Sequence, residues 1–153
     1  MELLGIFITC CMSVLSPFSG ITSDEKLHGC TPSPNCVSSA SWRYNFIHYT
    51  SPIKYQYSQK EAFQRLHSYL QNSENVYLEE VRPLKYIRAT YFTKVLRFPD
   101  RIELFFPSHT KKEIHVRSHS WLGFWDFFAN RRRIQRFRKI IQSQTSPQSD
   151  TLF

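Results

Sequence analysis

The side chains that could perform chemistry are concentrated between residues 100 and 133. Asp100 and Glu103 are two carboxylates in one short segment, and arginine, serine and asparagine side chains follow them along the chain. Paired carboxylates beside arginine and serine can perform acid–base chemistry when their pKa values are driven apart. An enzyme built on this pattern would use Asp100, Glu103, Arg117, Ser118, Ser120, Asp126, Asn130 and Arg131.

The rest of a catalytic apparatus is missing from the sequence. It contains no nucleophile elbow, no phosphate-binding loop and no histidine positioned as a base. We therefore interpret these polar residues as a buried network of ions and hydrogen bonds that ties the last strands to the last helix. Catalysis is the alternative interpretation.

Two histidines in the same segment do not predict a metal site. His115 and His119 would share one face of a strand, but they would lie about 13 Å apart at roughly 3.3 Å per residue. They cannot bind one ion together at that distance. We expect neither a metal nor a cofactor.

Cys30 and Cys36 enclose five residues, two of which are prolines, and so predict a small rigid loop. In an exported protein this pair would form a disulfide, whereas in the cytosol it would remain as reduced thiols. Structural zinc requires four ligands and usually closer cysteine pairs. The other two cysteines, Cys10 and Cys11, lie in an apolar run. Zinc binding is therefore disfavoured, and the disulfide and the free thiols are both retained.

Alternation and turn residues predict the elements that would position these side chains. Runs rich in β-branched and aromatic residues predict strands at 76–81, 84–96, 98–106 and 113–120. Their short connections favour antiparallel pairing. An aromatic-rich stretch at 42–49 and 53–57 predicts a first strand, broken near Pro52.

Two helices are predicted to cover this sheet. Ser58 and Glu61 form a capping box, which starts an amphipathic helix that ends near Asn72. A second helix near the C-terminus has an inner apolar stripe of Phe127, Ile134, Phe137 and Ile141. The predicted fold is therefore α+β, a four- to five-stranded antiparallel sheet with two helices packed on it, in the order β-α-β-β-β-β-α.

The last hairpin has a register that can be predicted from its apolar residues. The apolar residues of the two strands lie on the same face of the hairpin if Ile102 pairs near Val116 and Leu104 pairs near Ile114. This register places Glu103 near His115. It also brings residues 101 and 117, two arginines, side by side, so that Asp100 and Glu103 are expected to neutralise them.

The positive charge of the chain is local. The formal net charge is +8, and residues 131–139 carry six cations and no acid, which leaves 14 basic against 12 acidic residues elsewhere. We expect Arg132, Arg136 and Lys139 to project outward, and Arg131 and Arg133 to turn back towards Asp126 or Asp100. A basic helix of this kind suits an anionic membrane, a nucleic acid, or a merely solvated face.

The N-terminal residues indicate export or membrane association. Residues 3–15 form an uncharged, mostly apolar run that is too short to cross a bilayer, for which about 20 residues are needed. The run suits a signal peptide with cleavage near residues 21–23, although Glu2 and the lack of an early cation favour the cytoplasmic alternative. The expected organisation is a hydrophobic segment at 1–23, a cysteine-containing linker at 24–41, one domain at 42–142 and a disordered tail at 143–153.

Three motifs in order resemble a known family. Cys30 and residues 33–39 match an opening Cys followed by Ser-Pro-Asn-Cys-Val-Ser-Ser. Phe98, Asp100 and Glu103 match part of a middle motif with a Phe, acids and a Glu. A closing motif, Val-Arg-Ser-x-Ser, Gly, Asp and Asn-Arg-x-Arg-Ile, is matched by Val116, Arg117, Ser118, Ser120, Gly123, Asp126, Asn130, Arg131, Arg133 and Ile134. Over about residues 28–142 the chain thus resembles the bacterial and plastid domain of unknown function 1499.

The resemblance implies a fold and a cluster of residues, but no reaction. The cluster, structural or ligand-binding, is here called the polar cluster and consists of Asp100, Glu103, Arg117, Ser118, Ser120, Gly123, Asp126, Asn130, Arg131 and Arg133. The chain departs from the family pattern twice: Arg101 stands where a second acid is usual, and Trp121 stands where an arginine is usual. The charge pairing around these two positions is therefore altered.

We expect a non-catalytic binding or interaction module that is exported or membrane-associated and takes an apolar or anionic ligand. An anionic membrane surface or a lipid is the expected partner, because the basic helix could rest on its head groups. One alternative is an enzyme that uses the polar cluster. The other is nucleic-acid binding through the basic helix, which the apolar N-terminal run disfavours.

Overall fold

The computed structural model describes residues 19–30, 34–93, 97–108, 112–121 and 128–143. Six strands and two helices occur in this part of the chain. They are β1 (Cys36–Ser38), β2 (Ile53–Lys54), α1 (Gln59–Gln71), β3 (Val76–Arg82), β4 (Tyr86–Phe92), β5 (Pro99–Phe105), β6 (Glu113–Ser120) and α2 (Ala129–Gln142). The α+β class with two helices is confirmed.

Some of the predicted features lie outside the described residues. They are the apolar run at 3–15, Gly123, Asp126, Phe127 and the tail from residue 144 onwards. Among the helices that are described, none has the length and apolar content needed to cross a membrane.

The strands form one sheet with the order β1-β6-β5-β4-β3, and β2 pairs separately with β6. All pairings between named strands are antiparallel, as their short connections predicted. The four predicted strands from residue 76 onwards are therefore confirmed. The fifth neighbour, β1, comes from the cysteine-containing segment, where no strand was expected.

The predicted first strand at 42–49 is wrong. This segment forms turns and makes a single bridge, from Tyr49 to Ser38. The side-chain oxygen of Asn45 accepts hydrogen bonds from the backbone N–H groups of Ile47 and His48 at 3.2 and 3.3 Å. Such local side-chain bonds compete with strand pairing. Within the predicted stretch, only Ile53–Lys54 joins the sheet.

The first helix begins where the capping residues predicted. Ser58 Oγ accepts a hydrogen bond from the backbone N–H of Glu61 at 3.1 Å, which satisfies one free donor of the first turn. The Glu61 carboxylate pairs with Arg65 at 2.8 Å, one turn further along the helix. The helix ends at Gln71, next to the predicted boundary.

The main apolar core lies between one face of the sheet and the two helices. Ile102 and Val116 project from the central strands, and Ile134, Phe137 and Ile141 project from α2. All five side chains are at most 2% exposed. The described part of the predicted α2 stripe is therefore confirmed, and this packing fixes the orientation of the helix on the sheet.

The predicted register of the last hairpin is wrong by two residues. Leu104 pairs with Val116, and Glu103 pairs with Arg117 instead of His115. A shift of two residues returns every side chain to the same face, so the apolar pattern alone cannot distinguish the two registers. The observed register places a carboxylate opposite Arg117, whereas the predicted one would place Arg101 there.

The other face of the sheet carries a second, smaller core. Tyr86 and Phe105 pack there against Leu27 and Ile21, which belong to the segment at residues 19–30. The backbone N–H of Gly20 also donates to the carboxylate of Glu103 at 2.5 Å. This segment therefore covers the sheet on the side opposite the helices.

Candidate functional site

The sheet divides the polar cluster between its two faces. Successive side chains of a strand point to opposite faces, so Asp100 and Ser118 lie on the helix side, whereas Glu103 and Arg117 lie on the other side. The described members of the cluster therefore form two separate networks. A single catalytic constellation that combines Glu103 and Arg117 with the helix-side residues does not exist in this arrangement.

Asn130 is the centre of the helix-side network. It is fully buried at the start of α2, and its amide oxygen accepts a hydrogen bond from Ser118 Oγ at 2.5 Å. Its amide nitrogen donates to Ser120 Oγ at 3.0 Å and to the backbone carbonyl of Asn35 at 2.8 Å. These bonds join β6, α2 and the residue that precedes β1.

Arg133 completes this network from the next turn of α2. Its guanidinium donates to Asp100 Oδ2 at 2.6 Å and to the amide oxygen of Asn130 at 2.7 Å. It also lies 4.7 Å from the ring centroid of Tyr91. The prediction that Arg133 turns back towards Asp100 is confirmed. The contacts couple the last hairpin to the last helix, as the interpretation of a buried network requires.

The second network is centred on an ion pair beneath the segment at 19–30. Arg117 Nη1 donates to Glu103 Oε2 at 2.6 Å, and both side chains are completely buried. The other carboxylate oxygen accepts from the Tyr86 hydroxyl at 2.6 Å. Burial, together with the charge of Glu103, raises the pKa of the Tyr86 phenol far above its ordinary value. The hydroxyl therefore stays protonated and serves as a donor.

Arg101 is neutralised by a residue that the sequence did not indicate. Its guanidinium lies 3.2 Å from Glu79 Oε2 on β3, and it stacks 4.4 Å from the ring centroid of Trp121. Glu79 also binds Arg88 at 2.9 Å. The alternation of residues within β3 could not identify this partner, because β3 is separated from β5 by a whole strand.

His119 is buried near the cations Arg101 and Arg117. It lies opposite Arg101 in the sheet and is 1% exposed. Burial, reinforced by the positive charges of Arg117 and Arg101, lowers its pKa from 6.5 to about 2. Among the described residues, no hydrogen-bond partner is found for either ring nitrogen. His119 is therefore a neutral imidazole near neutral pH.

Residues suited to metal binding are not brought together in the described part of the chain. It contains no group of three His, Cys, Asp or Glu side chains that could hold an ion. Cys30 and Cys36 are joined by a disulfide with a Cα–Cα distance of 5.6 Å. Of the states that the sequence left open for these cysteines, the structure contains the disulfide.

The outward face of α2 is basic, as predicted. Arg132, Arg136 and Lys139 are exposed. On one flank, Arg131 Nη2 donates to the backbone carbonyls of Phe46 and Ile47 at 2.9 and 3.0 Å. The prediction that Arg131 turns towards Asp126 lies outside the described residues. The observed contacts instead fasten the segment after β1 to the helix.

Four large apolar side chains beside this helix were not predicted as functional. Trp42, Tyr44, Phe46 and Ile47 are 72%, 78%, 83% and 45% exposed. They were assigned to the predicted first strand, because aromatic residues are enriched in strands. The absence of acids from residues 39–58, visible in the sequence, was the available signal that this segment shares the positive charge of α2.

An open cleft lies where α2 ends. Its volume is about 540 Å³, and its lining includes Lys54, Tyr57 and Arg65. Arg65 is already bound to Glu61 and to the backbone carbonyl of Ser143. The cleft mixes charged and aromatic groups and is not the apolar cavity that an enclosed hydrophobic ligand would require. Apolar-ligand binding therefore stays a prediction.

Comparison with known proteins gives one match. A family model described as a protein of unknown function (DUF1499) matches residues 26–141 of the 153. No curated protein sequence and no solved structure matches the chain. The matched range includes both polar networks, the disulfide and nearly all of α2.

Proposed function

The chain belongs to the DUF1499 family, whose description assigns no function, and we propose that it is a non-catalytic, membrane-associated module that binds an anionic bilayer surface through the outward face of α2. The proposal includes export or membrane association of the protein. The observation that carries it is the distribution of charge over two adjoining segments, residues 39–58 and 128–143. These segments are here called the basic surface.

The basic surface accounts for the whole net charge of the protein. Its two segments contain two and six cations and no acid, which equals the formal net charge of +8. The remaining residues contain twelve cations and twelve acids. A field of one sign that is confined to one surface orients a protein on a partner of the opposite sign.

The two segments adjoin each other in the fold. Arg131 holds the backbone carbonyls of Phe46, Ile47 and Tyr49, and Arg138 holds those of Ser51 and Pro52. These two arginines lie on one flank of α2 and bind neutral groups, so their charges are not cancelled by an acid in these contacts. The cations of both segments can therefore act on the same partner.

The outward cations provide the contact with the head groups. Arg132, Arg136 and Lys139 are exposed, whereas Arg133 is engaged by Asp100. Each cation near an anionic bilayer contributes about 1 kcal/mol. Three of them contribute about a hundredfold in affinity. The opposite stripe of α2 is docked on the sheet, so only this face can meet a partner.

Vesicle co-sedimentation tests the proposal. We expect the protein to bind phosphatidylcholine vesicles that contain phosphatidylglycerol, and to bind more weakly as salt is added. The variant Arg132→Gln/Arg136→Gln/Lys139→Gln should bind about a hundredfold more weakly. A matched control, Lys26→Gln/Arg82→Gln/Lys85→Gln, removes the same charge from exposed and half-buried positions outside α2 and should change binding only slightly.

Equal losses in the two triple variants would contradict a localised site, because only overall charge would then matter. Absence of binding to the anionic vesicles would overturn the proposal. Binding of a single-stranded oligonucleotide that is lost in the α2 variant, without vesicle binding, would favour nucleic acid as the partner.

A further inference from the structure

We propose that residues 42–47, here called the aromatic loop, insert into the interfacial layer of a lipid bilayer and anchor the protein there. This inference rests on the proposed membrane binding and assigns the apolar part of the same contact. Insertion of the aromatic loop adds an apolar contribution, which salt does not weaken, to the electrostatic binding of the bilayer by α2.

Exposure of the aromatic loop distinguishes it from the rest of the described surface. Trp42, Tyr44, Phe46 and Ile47 are all at least 45% exposed and lie within six residues of one another. The other exposed apolar side chains are more widely spaced, since Tyr77, Val81 and Leu84 are spread over eight residues of β3 and its turn, and Phe98 lies elsewhere. Single exposed apolar residues are ordinary in soluble proteins, whereas contiguous ones mark an interaction surface.

The loop is held in its exposed shape by its own backbone. The Asn45 N–H donates to the Trp42 carbonyl at 2.9 Å, and the Tyr49 N–H donates to the Asn45 carbonyl at 2.7 Å. At the base of the loop, the Ser38 N–H donates to the His48 carbonyl at 2.7 Å. A loop that is already ordered loses little conformational entropy when it inserts.

Arg131 provides hydrogen-bond donors for backbone carbonyls of the loop, which would lose their water partners in an apolar medium. Its Nη2 donates to the carbonyls of Phe46, Ile47 and Tyr49 at 2.9, 3.0 and 3.2 Å. A backbone carbonyl that loses water without gaining a partner is costly to transfer into lipid. By binding the carbonyls of Phe46 and Ile47 within the loop, Arg131 lowers the cost of removing these two groups from water when the loop inserts.

The residue types of the aromatic loop fit the head-group region of a bilayer. Tryptophan and tyrosine concentrate at the membrane–water boundary, where their rings are apolar and their polar atoms stay hydrated. Arg43 lies between them and can extend its guanidinium to the phosphates. Because the segment contains no acid, its charge complements anionic lipids throughout.

Depth-dependent quenching tests the insertion directly. Wild-type protein bound to phosphatidylglycerol-containing vesicles is compared with Trp42→Phe, using lipids brominated on the acyl chain as quenchers. We expect wild-type fluorescence to shift to shorter wavelength and to be quenched. The variant Trp121→Phe/Trp125→Phe, which retains Trp42 alone, should keep both signals, whereas Trp42→Phe should still bind but give weaker ones.

The energetic contribution of the loop is tested at high salt. We expect Phe46→Ser/Ile47→Ser to weaken vesicle binding by about tenfold or more. The control Tyr77→Ser/Leu84→Ser removes comparable exposed apolar surface from β3 and the turn that follows it. This variant should leave binding unchanged. The melting temperatures of both variants should match that of the wild type, because the substituted side chains are exposed.

The two proposals fail in different ways. Salt-sensitive binding that depends on Arg132, Arg136 and Lys139 but gives no Trp42 quenching would overturn the insertion alone. Quenching that persists in the α2 triple variant, with equal binding to uncharged vesicles, would overturn the charge-based function and support the loop. Lack of any vesicle binding by the wild type would overturn both.

Discussion

The guanidinium of Arg101 lies 4.4 Å from the ring centroid of Trp121. These are the two positions at which the chain departs from the family pattern that it resembles, which has an acid and an arginine there. In this protein the two residues contact each other, and the cation is at position 101 instead of position 121. Glu79 balances the charge of Arg101 from 3.2 Å. The two residues that depart from the resembled pattern are therefore neighbours in the fold.

A double-mutant cycle of Arg101→Met and Trp121→Leu should give a coupling energy of about 1 kcal/mol, because the cation–π contact is only partly exposed. Urea unfolding of the four proteins provides the measurement. The pair Arg101→Met and Phe46→Leu is the control and should be additive, because Phe46 is exposed in a segment that, in the described part of the chain, has no contact with Arg101. Additive effects of the first pair would show that the observed proximity contributes no energy.

Arg117→Ala should lower the free energy of unfolding by about 3–5 kcal/mol, because it leaves the carboxylate of Glu103 buried without its ion-pair partner. Thermal and urea unfolding measure the loss. Arg82→Ala is the control, since it breaks an ion pair whose arginine side chain is 54% exposed, and it should cost less than about 1 kcal/mol. Unchanged stability of Arg117→Ala, together with lost vesicle binding, would identify Arg117 as a ligand-binding residue.

The buried imidazole of His119 makes stability depend on pH. Its pKa is about 2 in the folded protein, below its ordinary value of 6.5. Below about pH 6.5 the unfolded chain takes up a proton at this residue and the folded chain does not, so acid favours unfolding. The wild type should lose about 2 kcal/mol in total relative to His119→Leu as pH falls from 6.5 to 4.5. Parallel stability curves for the two proteins would contradict a neutral, buried His119.

The Cys30–Cys36 disulfide closes a short loop and should stabilise the fold by about 2–3 kcal/mol. Adding a reductant should lower the melting temperature of the wild type to that of Cys30→Ser/Cys36→Ser, which should not respond to the reductant. Intact mass under non-reducing conditions provides a second measurement, because a disulfide removes two hydrogens. A reductant effect of equal size in the double variant would place the sensitivity elsewhere.

Local sequence signals located most of the elements correctly. The capping residues Ser58 and Glu61 predicted the start of α1, and alternating apolar residues predicted β3 to β6. These signals succeed because helix caps and strand alternation depend on residues that are close in sequence. The same reasoning misassigned residues 42–49, since aromatic content cannot distinguish a buried strand from an exposed loop.

The composition and grouping of the polar networks depended on contacts between distant residues. The apolar pattern allowed two registers for the last hairpin, and the electrostatic match between Glu103 and Arg117 accompanies the observed one. Likewise, the partner of Arg101 is Glu79 on β3, which no local pattern indicates. The division of one sequence cluster into two networks then follows from the alternation of side chains across the sheet.

The sequence by itself determined the α+β class, the start of α1, the family and the concentration of positive charge in the last helix, because each is a property of local order or composition. Only the tertiary structure decided the strand register, the separation of Glu103 and Arg117 from Asn130, and the exposure of the aromatic loop beside α2. These features arise from pairing and burial between segments that are far apart in the chain. They depend on both the steric fit and the charges of the side chains that meet there.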